Sequence, residues 1–180
     1  MKQANDTPDR VDGLLAQDHQ IGAPRSRLTL VEYGDYECPS CHDAEPVTQH
    51  LLSVFGDQMR FIFRHFPLVE VHPHAQLAAE AAEAAAAQHR FWPMHHLLFK
   101  NAQHLKLADL TRCAAAIELD MTRFQAEMAD RVYTQRVQEH LRSGEQLGVR
   151  ASPCFFLDGV VVDVSFGLQH LESAVRAKLA

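Results

Sequence analysis

No stretch of this 180-residue chain approaches the run of about 20 apolar residues that a membrane-crossing helix needs, so no membrane span is expected. Runs of lysine or arginine are also missing. With 17 Lys and Arg against 23 Asp and Glu the formal net charge is −6, which argues against a general nucleic-acid binder. Cysteine is scarce: there are four, only two of them close together, which is too few for a disulfide framework. Met1 to Asp18 lacks the apolar core of a secretory leader and carries Asp6, Asp9 and Asp12. A cytoplasmic location is therefore expected, or a periplasmic one if the chain is a processed mature form. The remainder, 47% hydrophobic and 22% charged, is ordinary globular composition, long enough for one domain with an insertion.

The scarce cysteines carry the chemistry. Cys38-Pro39-Ser40-Cys41 follows the apolar run Leu28 to Val31 and opens a segment that reads as helix. A thiol at a helix N-terminus meets unpaired backbone N–H groups and the positive end of the helix dipole, both of which favour thiolate over thiol. Two cysteines separated by two residues can also bridge within one turn and be reopened by another thiol. The motif alone leaves three readings: redox exchange, metal or haem binding, or an inert pair. His42 completes the Cys-x-x-Cys-His attachment signature of c-type haem. A zinc site would want a second short-spaced pair, whereas Cys113 and Cys154 stand alone.

Around the motif the elements order themselves. Residues 1–17 are polar and read as an N-terminal arm, with structure starting near Asp18. Leu28 to Tyr33 reads as a buried strand. Pro39 to Phe55 reads as a helix that starts on a first-turn proline and stops at Gly56, and Met59 to Phe66 as a second strand. A helical crossover between them predicts parallel pairing. Helical patterns then fill Ala75–Ala87, Phe91–Asn101 and Leu107–Leu119, a shorter helix capped by Asp120, and Arg131–Leu147. Strands return at Phe155–Leu157 and Val160–Val164. Asp158-Gly159 between them favours a type I′ turn and so an antiparallel hairpin. Leu168–Leu179 closes the chain as a helix. The expected fold class is α/β, a small mixed sheet whose halves, 18–66 and 148–180, are separated by an all-helical insertion over 67–147.

The segment Val31 to Cys41, together with Phe63-Arg64-His65-Phe66-Pro67-Leu68, His72-Pro73-His74-Ala75, Phe91-Trp92-Pro93-Met94-His95 and Ser152-Pro153, resembles the DsbA-like thiol-disulfide oxidoreductases of the thioredoxin superfamily. The resemblance runs in element order from about Asp18 to Leu179. It implies a thioredoxin fold, a central sheet flanked by helices, interrupted by the helical insertion. It also implies that Ser152-Pro153 is the family's cis-proline loop, whose backbone pairs with an extended substrate, and that no cofactor is needed beyond the Cys38–Cys41 disulfide. Where family members often carry Thr-Pro-Thr, this chain has Ser152-Pro153-Cys154. The matching family segments carry histidine without a metal, so His72, His74, His95 and His96 are expected to pack and fix loops, and no metal site is expected.

The residues themselves suggest roles. Glu32 lies on the first strand, on a face that points beneath the active site, where a buried carboxylate can relay a proton. Cys38 is the expected nucleophile and Cys41 the resolving thiol, and the resemblance implies that Pro39, Ser40, Ser152 and Pro153 contact substrate. Ser40 stands where several family members have histidine, and Asp35 and Glu37 add negative charge. Both points suggest a moderate oxidant, with a Cys38 pKa of about 4.5 to 6.5. Cys154 and Cys113 are expected to be buried core residues. Expected partners are protein or peptide thiols and disulfides, with a thiol electron donor or acceptor such as glutathione or a thioredoxin-type system. Two rivals remain: a redox-sensing or regulatory module using the same pair without turnover, and a glutathione-linked transferase or isomerase, against which the second cysteine argues.

Overall fold

The computed structural model describes residues 18–23 and 25–180. The expected N-terminal arm over 1–17 lies outside the described residues. The elements are β1 (His19–Gly22), β2 (Leu28–Gly34), α1 (Pro39–Phe55), β3 (Met59–His65), α2 (Ala75–Ala86), α3 (Phe91–Lys100), α4 (Leu107–Ala116), α5 (Met121–Ala129), α6 (Thr134–Gln146), β4 (Cys154–Leu157), β5 (Val160–Val162) and α7 (Gln169–Leu179). The five strands form one sheet in the order β1-β3-β2-β4-β5. β2 and β3 run parallel across the α1 crossover, and the other pairs are antiparallel. This is the thioredoxin fold with helices α2 to α6 between its two halves.

β2 is central and buried along its whole length. Alternation along it separates two cores. Leu28 and Leu30 join Phe61, Phe63, Phe155 and Leu157 on one face, together with Cys38 and Cys41. Val31 and Tyr33 join Ile62, Phe66, Val149 and Phe156 on the other. Helix α6 closes the second face through Gly144, where an added Cβ would come within 2.8 Å of Phe66 and 3.0 Å of Tyr33. In register, Glu32 lies opposite Phe63 of β3 and Phe155 of β4. Its carboxyl therefore belongs to the face that carries the two cysteines.

Helix α2 is apolar nearly all round, as a helix surrounded by others must be. It packs against α3, α4, α5 and α6, and Ala78, Ala81, Ala82, Ala84 and Ala85 are buried. Two buried carboxylates on it act as clamps. Glu80 accepts from the Arg131 guanidinium and the Thr134 hydroxyl, and Glu83 Oε1 lies 2.7 Å from His19 Nε2 and 2.8 Å from His65 Nε2. Glu83 thus ties the helical layer to β1 and β3.

Several boundaries fall short of their sequence patterns. α4 ends at Ala116 rather than Leu119 because Glu118 turns left-handed at φ 58°, and α6 starts at Thr134 because Arg131 does the same at φ 53°. Neither residue carries the glycine signal that such turns usually show. At the β4–β5 hairpin both Asp158 (φ 48°) and Gly159 (φ 79°) have positive φ, as a type I′ turn requires.

Candidate active site

Cys38 is the N-cap of α1, in extended conformation, and Pro39 follows in the first turn, where its missing N–H would have had no partner. Cys41 comes one turn later and is fully buried, while Cys38 keeps 7% exposure. The two thiols therefore differ in access before any chemistry begins. The Asp35 N–H donates to Cys41 Sγ at 3.4 Å, and Cys38 Sγ lies 3.4 Å from the Ser152 carbonyl oxygen. The Ser152–Pro153 peptide is cis. A loop 114 residues away thus borders the exposed sulfur.

Their acidities separate accordingly. The hydrogen bond from the Cys41 thiol, aided by Ser152 and by the backbone N–H groups of Cys41 and Ser40, lowers Cys38 to about 5 against the opposing effect of burial. Burial first, then hydrogen bonding to Cys38 and the nearness of Glu32, pushes Cys41 well above the usual thiol range. At neutral pH the pair is one thiolate and one thiol. A thiolate titration followed by ultraviolet absorbance should give a midpoint near pH 5 in the reduced protein. Stabilising the thiolate stabilises the reduced form at pH above that midpoint, and the contribution disappears as pH falls through it. The reduction potential should accordingly fall by about 30 mV per pH unit above pH 5, where two electrons travel with one proton, and about twice as steeply below it. A single steep slope across that range would show that Cys38 is protonated at neutral pH.

Asp35 and Glu37, the acidic residues beside the motif, are turned to other donors. Asp35 accepts from the N–H groups of Glu37 and Leu68 and pairs with His72, and Glu37 accepts from the His74 N–H and pairs with its ring. Two histidines thereby anchor the loop after β3 to the active-site loop. Glu32 is 1% exposed and its Oε1 has no hydrogen-bond partner among the described residues. Burial, then the charge of Glu45, then Cys38, raise its pKa well above the ordinary carboxylate value. The proton on such a carboxyl is therefore held more tightly than on an exposed one. Gly34 leaves room for it, since a Cβ there would meet Phe63 and come within 3.0 Å of Glu32 Oε1.

Cys38, Cys41, Glu32, Pro39, Ser40, Ser152 and Pro153 thus gather at one end of the sheet. The other cysteines do not join them by any hydrogen bond. Cys113 is buried on α4, and Cys154 is half-buried at the start of β4 rather than enclosed as expected. Burial raises both thiols above the ordinary value. The sequence reading assigned no partner to Tyr36, Glu45 or His65. Tyr36, in the loop before α1, and Glu45 of α1 converge on His95 of α3, and the sequence signal for Glu45 was an acidic residue inside a helix followed by a histidine pair about 50 residues later.

Fold and site together define a thioredoxin-superfamily protein with the DsbA-like helical insertion and a Cys-x-x-Cys pair facing a cis-proline loop. The family model described as "Thioredoxin" matches residues 15–177, and the chain belongs to that family. Among solved structures it is similar to a thioredoxin-like oxidoreductase from Silicibacter pomeroyi DSS-3, with 26% identity and a TM-score of 0.78 over 91% of this chain and 93% of that one. It shares its fold with oxidised BdbD from Bacillus subtilis, at 19% identity and a TM-score of 0.81 over 90% and 92% of the two chains. A curated relative is the Na(+)/H(+) antiporter NhaA 1 of Salinispora arenicola, 42% identical over 164 residues, which make up 91% of this chain and 25% of that protein. The chain therefore spans about a quarter of the length of the curated relatives it matches. Among the described residues no helix is long and apolar enough to cross a membrane.

Proposed function

We propose that this chain is a thiol-disulfide oxidoreductase that exchanges protein or peptide disulfides through Cys38 and Cys41. One observation carries the reading: a thiolate-favouring cysteine at a helix N-terminus has a fully buried partner thiol behind it and a backbone carbonyl 3.4 Å in front of it. The Cys38 thiolate attacks a substrate disulfide, forming a mixed disulfide and expelling one substrate thiolate. Cys41 gives its proton to the Glu32 carboxylate and attacks Cys38 Sγ, expelling the second substrate thiolate. Two electrons have then passed to the substrate, which leaves as a dithiol, and the protein holds the Cys38–Cys41 disulfide. A thiol donor such as glutathione or a thioredoxin-type system reduces it again, and the reverse sequence oxidises dithiols. In a cytoplasm poised at about −220 to −260 mV, a potential above that range favours the dithiol and the reductase or isomerase direction, whereas an exported chain works as an oxidase. Pro39, Ser40, Ser152 and Pro153 contact the substrate strand in this scheme.

Glu32→Gln should slow exchange several-fold where deprotonation of Cys41 limits the rate, and should leave the Cys38 titration in place. Equal rates for variant and wild type across pH 6 to 9 would remove Glu32 from the mechanism. A second reading, a redox-sensing or regulatory module, is favoured by the curated relatives, three-quarters of which lies outside the matched region. Reduction of insulin by a thiol donor separates the two. Many turnovers per protein molecule support the enzyme, and a single stoichiometric exchange supports the sensor.

A further inference from the structure

We propose that Glu45, His95 and His96 form a binding site for a divalent transition-metal cation of the zinc type, joining the active-site helix α1 to helix α3. Their ligand atoms all lie within 4.8 Å of one another. His96 Nδ1 is 2.7 Å from Glu45 Oε1, and His95 Nε2 is 3.2 Å from Glu45 Oε2. Two imidazole nitrogens and a carboxylate suit zinc, whereas calcium or magnesium would want more oxygens. Tetrahedral zinc with bonds of about 2.0–2.1 Å holds its ligand atoms about 3.3 Å apart, so the pair at 3.2 Å already fits and the pair at 2.7 Å needs to open slightly. The His96 side chain is 44% exposed, which gives the cation a way in and the ring freedom to adjust. A water, or the Gln49 carboxamide oxygen once the amide whose nitrogen lies beside Glu45 and His96 is turned over, completes the fourth position.

The surroundings of His95 strengthen the assignment. Its other nitrogen, Nδ1, is 3.0 Å from the buried Tyr36 hydroxyl, which holds the ring with Nε2 aimed at Glu45. Metal-bound histidines are commonly oriented by such a partner on the far nitrogen. A second cluster, His19, His65 and Glu83, brings the same residue types together and lacks these features. There the Arg136 guanidinium lies 3.7 Å from Glu83, where it opposes a cation, and the buried His65 Nδ1 has no hydrogen-bond partner among the described residues. That cluster is the clamp described above. The Glu45 site also adjoins the active site, since Glu45 lies one turn after Cys41 on α1 and its charge is one of the causes that raise the Glu32 pKa, which a bound cation would offset.

The test uses the full chain in its Cys38–Cys41 disulfide form, so that neither of those thiols can ligate the metal. Calorimetric titration with zinc chloride should show one saturable equivalent. Cobalt chloride should give visible d–d absorbance with no sulfur-to-metal charge-transfer band. His96→Gln, at an exposed position that leaves the core intact, and Tyr36→Phe should each weaken zinc binding by at least about 10-fold. His42→Gln, an exposed histidine outside the cluster, should leave affinity unchanged. Absence of saturable binding, a sulfur charge-transfer band, unchanged affinity in His96→Gln, or an equal loss in His42→Gln would each overturn the site. The inference does not depend on redox turnover, because the metal is read by heat and absorbance in a protein whose active thiols are bridged.

Discussion

Cys41→Ser should convert a turning-over protein into one that stops at its first covalent intermediate. With the resolving thiol gone, Cys38 still meets an incoming disulfide, and nothing behind it can expel the bound half of the substrate. Serine keeps a hydroxyl donor where the Cys41 thiol lowers the Cys38 pKa, so the Cys38 thiolate persists and still attacks. Non-reducing gels after mixing with a disulfide-bonded substrate should show a thiol-sensitive adduct of one protein per substrate chain, and catalysed insulin reduction should drop to the rate of the thiol donor alone. Cys38→Ser should show the same loss of turnover without the adduct, because Cys41 is fully buried and cannot reach a protein substrate. An adduct in Cys38→Ser, or undiminished turnover in Cys41→Ser, would reverse or abolish the assigned roles. Both substitutions exchange sulfur for oxygen at nearly constant shape, so circular dichroism should remain unchanged.

The largest stability effect is expected far from the sulfurs, at Asp18. The Arg64 guanidinium is enclosed beneath the second core face, with side-chain exposures of 2% for Arg64 and 1% for Asp18. Its Nε and Nη2 each donate to a different Asp18 oxygen at 2.8 Å, and Nη1 donates to the Tyr33 hydroxyl at 2.9 Å. Tyr33 in turn shares a hydrogen bond with Ser143 of α6. Asp18→Ala removes the carboxylate that meets two donors of a buried cation, a change that typically costs about 3–5 kcal/mol, whereas replacing both partners with apolar residues is far less damaging. For a domain of this size that corresponds to a fall of about 6–20 °C in Tm. Because Asp18 immediately precedes β1, the loss should also release β1 from the sheet edge, visible as faster amide exchange over His19 to Gly22. In the Asp18→Leu, Arg64→Met double variant, much of the loss should return. A fall below about 2 °C in Asp18→Ala would give the pair the weight of a surface ion pair and refute its structural role.

The features legible in the sequence are those decided within a few residues. Proline after Cys38 and glycine after Phe55 bound α1 as observed, Asp120 caps α5 by accepting from the Arg123 N–H, and Asp158-Gly159 sets a hairpin turn. The spacing of Cys38 and Cys41 places both on one helical turn in any fold that keeps the helix. β1 escaped notice because His-Gln-Ile-Gly has no apolar run of its own and becomes a strand only by pairing with β3. The ends of α4 and the start of α6 escaped because Glu118 and Arg131 make left-handed turns that sequence associates with glycine.

The order of the two thiols along α1 already pointed to Cys38 as the nucleophile, but the depth of Cys41 burial and the Ser152 loop beside Cys38 come only from tertiary packing. That packing also decided that Glu32 Oε1 is buried with no hydrogen-bonded donor among the described residues, and that Glu45 meets two histidines from a helix 50 residues away. Local sequence determines dihedral preference, capping and side-chain period. Burial, electrostatic coupling and the convergence of side chains depend on which distant segments become neighbours, and that is set by closure of the two sheet halves around the helical insertion.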